Sequence, residues 1–333
     1  MKLTHNQAVL MMVAVTLMWS TAGVVSRQLE AAARFEVTFW RSAFTALSLL
    51  VILPVWRHVE RRGGTAAASA VGHGAGRRWL KRHWGLIPES RAFWVSGVCW
   101  SVMFTAFMLA LSFTTVANVL VIMSIGPLFT ALVARVFIGL RLAVRTWMAI
   151  VAAGAGIVYM YGSQLLDAVS HPEIDSTGLV LGSLIALCVP LAGAINWTVV
   201  QRSQTHGESV DLVPSVLLGA VLSSLFTLPL ALPFNATGGD LAWLGILGLI
   251  QLAIPCALSV VCARVLKAPE VSLLALLEVI FGILWAWMWA NETPGSEVLL
   301  GGSVVIGALV LNEWLGWRSR MVIPRIQTLS ADR

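Results

Sequence analysis

The feature that most constrains this chain is a series of long apolar runs, each about as long as a bilayer is thick. A transmembrane helix needs about 20 predominantly apolar residues. Ten such runs lie at approximately residues 8–26, 35–55, 92–112, 115–138, 144–162, 178–200, 212–232, 241–263, 271–290 and 297–315. Transmembrane β-strands would instead give alternating segments of about 10 residues. The runs therefore predict an all-α integral membrane protein with ten transmembrane helices.

The composition excludes a soluble domain. Hydrophobic residues make up 58% of the chain and charged residues 11%, whereas a soluble domain carries about 25% charged residues. No A-x-A-like cleavage site follows the first run, so we expect it to remain as the first helix and not to be a removed signal peptide. Cys99, Cys188, Cys256 and Cys262 lie inside apolar runs and form no C-x-x-C pair. They are predicted to be free thiols.

The basic residues alternate between the two ends of the predicted helices. Cytoplasmic loops of membrane proteins are enriched in Lys and Arg. One side holds Arg57, Arg61, Arg62, Arg77, Arg78, Lys81, Arg82, Arg91, Arg141, Arg145, Arg202, Arg264, Lys267, Arg318, Arg320, Arg325 and Arg333. The other side holds only Arg27 and Arg34. We therefore predict a multi-pass protein of the cell inner (plasma) membrane with both termini cytoplasmic. Because the charges are spread over many loops, we expect no nucleic-acid partner.

Two cytoplasmic segments lie outside the predicted helices. The loop at 58–91 is long and basic, and its residues 63–76 read GGTAAASAVGHGAG, a low-complexity tract. A cluster of basic and aromatic residues follows, from Arg77 to Trp84. This cluster suits an anionic lipid surface, but an ordinary positive-inside loop is the favoured explanation. Residues 316–333 are predicted to form a basic cytoplasmic tail.

The ten runs divide into two units of five, at 8–162 and 178–315. Because five is odd, the second unit must enter the membrane from the opposite side, as in the inverted repeats of many secondary transporters. The fourth and ninth runs superpose without a gap when Asn118 is aligned with Glu270, an offset of 152 that also places Gly126 on Glu278. A weaker match aligns Trp19 with Trp197. The sequence therefore predicts two inverted five-helix repeats.

These residues resemble those of the EamA family in the drug/metabolite transporter superfamily, and the resemblance covers nearly the whole chain. Members have two copies of a five-helix unit. Each copy tends to have a Trp in its first helix, a proline and a terminal glutamate in its fourth, and glycines in its fifth. The matching residues are Trp19, Arg41, Gly126, Pro127, Gly154 and Gly156 in one copy, and Trp197, Glu278, Glu292, Gly301, Gly302 and Gly307 in the other. Leu140 replaces the first glutamate, and Val279 the second proline.

Ionisable side chains inside a membrane are costly and usually functional. Glu278 lies a third to half way along the ninth run, and Arg41 about six residues into the second. Glu278 could exchange a coupling proton or bind a cationic group; the alternative is a structural carboxylate, paired with Arg135 or hydrogen-bonded between helices. Arg41 is a candidate for substrate contact or gating, and its alternative is a structural role at helix ends.

Several uncharged residues could line a cavity between the helices. They are Trp19, Trp100, Asn118, Asn196, Trp197 and Gln251. Polar residues at such positions can equally hold helices together. Pro127, Pro190 and Pro255 each remove a backbone hydrogen bond inside a run and are expected to break or kink the helix. We count Pro127 among the cavity candidates, because freed backbone carbonyls are tolerated only toward protein or a cavity.

The sequence thus predicts a secondary transporter that exports a small organic metabolite by alternating access through a central cavity. By resemblance, helices one, three, four, six, eight and nine would line it. A polytopic enzyme, or a receptor or scaffold, is the alternative; the absence of a deep Asp or His argues against the enzyme. No cofactor and no metal site are expected. The expected partners are a small-molecule substrate and membrane lipid, and the chain acts as a monomer or a homodimer. Substrate identity and coupling ion stay open.

Overall fold

The protein is described here from a computed structural model. It describes residues 3–21, 29, 34–62, 90–114, 116–170, 176–205, 210–290 and 296–331. In these ranges the regular structure is helical throughout, without strands. Seven helical segments are long and apolar enough to cross a membrane, and two shorter apolar helices lie at Val144–Met160 and Ser296–Asn312. The loop around 63–76 lies outside the described residues.

Six helices are described in the first half of the chain, outside the residues that the structure leaves undescribed. They are α1 (His5–Trp19), α2 (Arg34–Arg62), α3 (Arg91–Phe113), α4 (Val116–Met123), α5 (Gly126–Ile138) and α6 (Val144–Ser170). The helix α1 starts at a capping box between Thr4 and Gln7, which satisfies backbone N–H groups that have no partner within the helix. The helix α5 ends at Gly139, whose φ of 68° gives the left-handed cap that glycine adopts without strain.

The described residues of the second half form seven α-helices and one π-helical segment. They are α7 (Ser176–Thr205), α8 (Pro214–Ala231), α9 (Gly238–Ile246), the π segment (Leu247–Ala253), α10 (Ile254–Cys262), α11 (Ala268–Ala275), α12 (Leu277–Ala290) and α13 (Ser296–Ala331). The helix α9 begins at a capping box between Thr237 and Asp240. The π segment continues directly from α9 into α10, so these three elements form one interrupted rod.

The fourth and ninth predicted helices are both interrupted, at corresponding positions. The break between α4 and α5 falls at Ser124 and Ile125, just before Pro127. The break between α11 and α12 falls at Leu276, which is Ser124 moved by the offset of 152 found in the sequence. The kink predicted at Pro127 is confirmed. In the ninth helix there is no proline at the break, so no local sequence signal predicts this break.

The other two prolines behave differently from each other. Pro255 is the second residue of α10, which follows the π segment, so the helix is irregular there, as predicted. The predicted break at Pro190 is wrong, since Pro190 lies inside the continuous helix α7. Neighbouring helices can support the carbonyl that a proline frees, and α7 packs on α3 and on α5.

The packing of the helices is nearly unchanged when the two halves are exchanged. The helix α3 packs on α7, and their counterparts, α10 and α1, also pack on each other. Similarly, α8 contacts both α2 and α3. Its counterpart α2 contacts both α8 and the π segment, which correspond to α2 and α3 in the other half. The pairs α2 with α8 and α6 with α13 each join an element to its own counterpart, and α5 packs on α11, the counterpart of α4. The contacts between helices are therefore similar in kind when the two halves are exchanged.

The segment predicted as a basic tail continues the last helix. The last predicted run stops at residue 315, but α13 continues as a helix to Ala331. Once a helix exists, each added residue gains one backbone hydrogen bond, so a helix extends easily beyond its apolar part. Arg318, Arg320 and Arg325 of the predicted tail are therefore carried on a helix.

Candidate solute-binding cavity

A cavity of about 150 Å³ lies between the two halves. Its walls come from α1, α2, α3, α4, α7, α11 and α12, from the start of α5, and from the π segment with α10. The interrupted helices of both halves therefore contribute, at or next to their breaks. Helices one, three, four, six, eight and nine, which the family resemblance implies, all contribute, and α2 joins them through Arg41.

One wall of the cavity is polar and centres on Gln251 in the π segment. The amide Oε1 of Gln251 accepts a hydrogen bond from Arg41 Nη1 at 3.4 Å. Its Nε2 donates to the backbone carbonyl of Trp19 at 3.3 Å, at the end of α1. Gln251 thus joins α1, α2 and the π segment. The widened turn of a π-helix is often found at functional sites, and here it carries the central amide of the polar wall.

The π segment can dock on α2 because residue 248 is a glycine. A Cβ at Gly248 would lie 2.6 Å from Phe44 Cβ and 3.0 Å from the carbonyl oxygen of Arg41. The carbonyl of Gly248 in turn accepts a hydrogen bond from Thr45 Oγ1 at 3.1 Å. This close approach of backbones positions Arg41 beside Gln251.

Glu278 faces the cavity from the first turn of α12, directly after the break at Leu276. Negative charge is favoured at a helix N-terminus. The charges of Glu278 and Arg41 act on each other, yet the ion pairs found among the described residues join only Asp211 to Arg57 and to Arg264. Arg135, the other partner considered for Glu278, is exposed on α5. Glu278 is therefore a cavity carboxylate and not half of an ion pair with Arg135.

Another part of the cavity lining is largely aromatic. Trp100, Met103, Phe104 and Phe107 project from α3 toward the cavity. Trp197 of α7 meets Trp100 edge to face, with ring centroids 5.6 Å apart. The four α3 residues follow the i, i+3, i+4, i+7 spacing of one helix face. That spacing is visible in the sequence and would have identified Met103, Phe104 and Phe107, which the sequence analysis missed.

The structure brings six of the nine sequence-predicted site residues to the cavity. They are Trp19, Arg41, Trp100, Trp197, Gln251 and Glu278. In place of Pro127, the lining residue is its neighbour Gly126. Asn196 is fully buried between helices, where its Oδ1 accepts a hydrogen bond from Ser96 Oγ at 2.6 Å. This contact fits the alternative role of holding helices together. The side chain of Asn118 lies outside the described residues.

An ionic cluster joins helix ends on one side of the cavity. Asp211, just before α8, accepts a hydrogen bond from Arg57 Nη2 at 2.7 Å and another from Arg264 Nη2. Arg57 lies on α2, and Arg264 follows α10. All three residues belong to the side that the charge distribution assigns to the cytoplasm. We call these residues the Asp211 clasp.

Comparison with known proteins identifies the family. The model of the EamA-like transporter family matches residues 6–162 and 180–314. This chain belongs to the EamA-like transporter family. The two matched segments also show that the family unit occurs twice in the EamA-like chain. The protein is therefore a multi-pass membrane protein and a transporter of small molecules, and the resemblance found in the sequence is confirmed.

Solved structures share this fold. One of them, described as "Crystal structure of protein", superposes on the EamA-like chain with a TM-score of 0.70 at 15% identity. The superposition covers 94% of this chain and 99% of the other. At that identity the likeness concerns the fold alone. No curated protein matches the sequence.

Proposed function

We propose that this EamA-like protein is a secondary transporter that exports a small organic metabolite by alternating access. The observation that carries the proposal is a cavity between two similar units, walled by the interrupted helices of both. Interrupted helices at the interface of inverted repeats form the substrate sites of many secondary transporters. The same arrangement gives no advantage to a membrane enzyme or a scaffold.

The two units, 8–162 and 178–315, are proposed to be inverted repeats. With five membrane crossings each, the second unit starts on the opposite side from the first. The contacts between helices stay similar when the two halves are interchanged, and this supports a two-fold axis lying in the membrane plane. Rocking of one unit against the other would then open the cavity first to one side and then to the other.

Each chain contains a complete cavity, which supports function as a monomer and does not require a homodimer. Lipid surrounds the helices, and the expected substrate is a small molecule. The transported solute can be identified by comparing metabolites in cells with and without overexpression. Flux of that solute into proteoliposomes containing the purified protein then tests transport. A protein that inserts and folds but carries no flux of any such solute would contradict the proposal.

The orientation is proposed from the basic residues, which place both termini and the 57–91 loop in the cytoplasm of a cell with this protein in its inner membrane. In a variant without native cysteines, a membrane-impermeant maleimide applied to intact cells should label a cysteine at Gly239, which is exposed at the start of α9, and not one at Ser69. Both sites should react after the membrane is permeabilised. External labelling at Ser69 would reverse the assigned orientation.

Glu278 is proposed to couple transport to protons. A carboxylate inside a membrane is costly unless it is protonated, paired or solvated, and Glu278 faces a cavity that could give it access to protons. We expect Glu278→Gln to fold and to keep solute exchange, while accumulation driven by an imposed pH gradient is lost. Uptake measured over several pH gradients, in wild type and mutant, provides the test. A mutant with the wild-type pH dependence would remove Glu278 from the coupling mechanism.

A further inference from the structure

Glu278 is carried by a helix, α12, that is well packed only at its beginning. The helix starts after the break at Leu276, and its residues Val279 and Ile280 are buried in an apolar cluster. A Cβ at Gly282, one turn further on, would meet nothing within 4 Å. The later side chains that are exposed are Leu284, Trp287, Met288 and Trp289. Lipid tails do not hold a helix in one rotation, whereas packing and hydrogen bonds between helices do.

A hydrogen bond joins the second half of α12 to the end of α1. Trp285 Nε1 donates to Ser20 Oγ at 2.8 Å. Ser20 is buried, and its hydroxyl donates in turn to the carbonyl oxygen of Leu17 at 2.7 Å. The ring of Trp285 also lies against that of Trp289, with centroids 4.9 Å apart. The indole N–H and the hydroxyl are therefore both satisfied, and the bond gives α12 a directional contact with α1.

This bond lies where it controls the direction in which Glu278 points. Trp285 follows Glu278 by seven residues, or about two helical turns, so both side chains lie on the same face of α12. The charge of Glu278 acts on Arg41 of α2 and on Cys256 of α10. A rotation of α12 would move the carboxylate relative to both groups, and a bond on the same face opposes that rotation.

The other half of the chain provides an internal comparison. The offset of 152 places Val133 on Trp285, just as it places Gly126 on the cavity glutamate. The helices α5 and α7, which are the counterparts of α12 and α1, also pack on each other. Val133 has no N–H group in its side chain, however, and the hydroxyl of Thr198, which aligns with Ser20, is buried without a hydrogen-bond partner among the described residues. The bond and the carboxylate therefore occur together in one half, and the other half lacks both.

We propose that Trp285 and Ser20 are positioning residues, which hold α12 in the rotation that turns Glu278 toward the cavity. The bond joins two side chains across the gap between helices, so it can break and form again when α12 turns at the Leu276 break. The half of the chain without a carboxylate at this place has nothing to position and carries no such bond. This inference adds two residues to the coupling role of Glu278 and rests on that proposed function.

The reaction of Glu278 with a carbodiimide reports its position without requiring transport. Purified protein in detergent is treated with dicyclohexylcarbodiimide at one fixed pH, and modified carboxyl groups are quantified by mass spectrometry of peptides. In Ser20→Ala and in Trp285→Phe we expect Glu278 to react about fivefold faster than in wild type, because loss of one hydrogen bond lets α12 turn and expose the carboxyl group. Glu297, which is exposed on α13, is the internal standard and should react at an unchanged rate.

Matched variants separate the hydrogen bond from a general loosening of the helices. Thr21→Ala removes a neighbouring hydroxyl that donates to the carbonyl of Met18 and not to α12. Trp289→Phe removes an indole N–H from the same helix. Both variants should keep the wild-type rate at the cavity glutamate. The double variant Ser20→Ala with Trp285→Phe should react no faster than either single variant, because both substitutions remove the same bond.

The inference is overturned if Glu278 reacts at the wild-type rate in both single variants, or if their effects add in the double variant. If Trp285→Phe does not fold, Ser20→Ala, which removes one oxygen atom, decides the result. In proteoliposomes, the two substitutions should abolish most of the accumulation driven by an imposed pH gradient and leave exchange of the solute intact. Faster labelling of Glu278 in the variants, together with a wild-type protein that shows no pH-driven uptake, would reject proton coupling and support the positioning role.

Discussion

Glu36 shows how a single carboxylate can be held in an apolar chain. It is 0% exposed, at the beginning of α2. Its two oxygens accept backbone N–H groups from Asn235 and Ala236, each at 2.9 Å, and Oε1 also accepts from Trp40 Nε1 at 3.3 Å. The Glu36 side chain therefore accepts hydrogen bonds from both of these backbone N–H groups, which belong to the segment before α9. Glu36 fixes α2 at the end opposite to the Asp211 clasp.

Replacing Glu36 by Gln should destabilise the protein although the shape is conserved. An amide supplies one oxygen and two donors, so its NH₂ group would face a backbone N–H and leave it unpaired. A buried donor without a partner costs about 1–3 kcal/mol. We expect a lower midpoint of thermal unfolding in detergent. Glu297→Gln, at an exposed glutamate, is the control; equal effects of the two substitutions would contradict the role given to Glu36.

At the scale of whole elements, α6 and α13 pair through two glycines. A Cβ at Gly301 would lie 2.5 Å from the carbonyl oxygen of Gly156 and 2.3 Å from Met160 Cγ. A Cβ at Gly156 would lie 2.8 Å from the carbonyl oxygen of Gly301. Small residues allow helices in membranes to approach this closely. The pair joins the last helix of one unit to the last helix of the other, away from the cavity.

Gly301→Ala should separate these helices, because backbone atoms block the added methyl group. Overpacking of this kind costs about 1–3 kcal/mol. Gly307→Ala is a matched control on the same helix, since a Cβ there meets nothing within 4 Å. Thermal unfolding in detergent should show a lower midpoint for Gly301→Ala and an unchanged or slightly higher midpoint for Gly307→Ala. Indistinguishable midpoints would show that the helices can shift apart without cost.

At the scale of the whole molecule, apolar packing and ion pairs meet at the same end of the helix bundle. The largest apolar cluster includes the helix ends beside the Asp211 clasp, with Met12, Leu53, Phe93, Leu212 and Leu266 among its buried members. The clasp itself joins α2, the start of α8 and the end of α10. The described residues therefore close this side of the cavity with both apolar packing and ionic contacts. In an alternating-access cycle, this closure must open.

Asp211→Asn should weaken the closure and expose the cavity from the clasp side. Its ion pairs are partly exposed, with side chains between 22% and 31% accessible, so we expect a change of about 1 kcal/mol, or about fivefold in an opening equilibrium. Cys256 lines the cavity and reports this opening. Its labelling by an impermeant maleimide, in a variant with the other three cysteines replaced, should be about fivefold faster in inside-out vesicles.

Asp240→Asn serves as the control for that experiment. Asp240 caps α9, which lies at the opposite end of the same interrupted rod. Its substitution removes an acidic group without touching the clasp, so labelling of Cys256 from the clasp side should stay at the wild-type rate. An Asp211→Asn variant that also labels at the wild-type rate would show that apolar packing alone closes this side.

The sequence by itself determined the helical membrane architecture, the two repeated units and most of the cavity candidates. Long apolar runs restrict the chain to transmembrane helices, because lipid cannot satisfy a free backbone. The offset of 152 correctly aligned the helix breaks at Ser124 and Leu276. Polar or aromatic side chains inside such runs need a structural or functional explanation. Six residues stood out on this ground: Trp19, Arg41, Trp100, Trp197, Gln251 and Glu278.

Only the tertiary structure decided which of these groups meet and how. The π segment brings Gln251 between Arg41 and Trp19. No local sequence pattern predicts the extra residue per turn that makes this segment a π-helix. The break before Glu278 has no proline, whereas Pro190 lies in a helix that does not break. Asn196 bonds to Ser96, 100 positions away in the chain. Contacts between helices depend on rotation and depth as well as on residue type, and these are fixed by packing over the whole bundle.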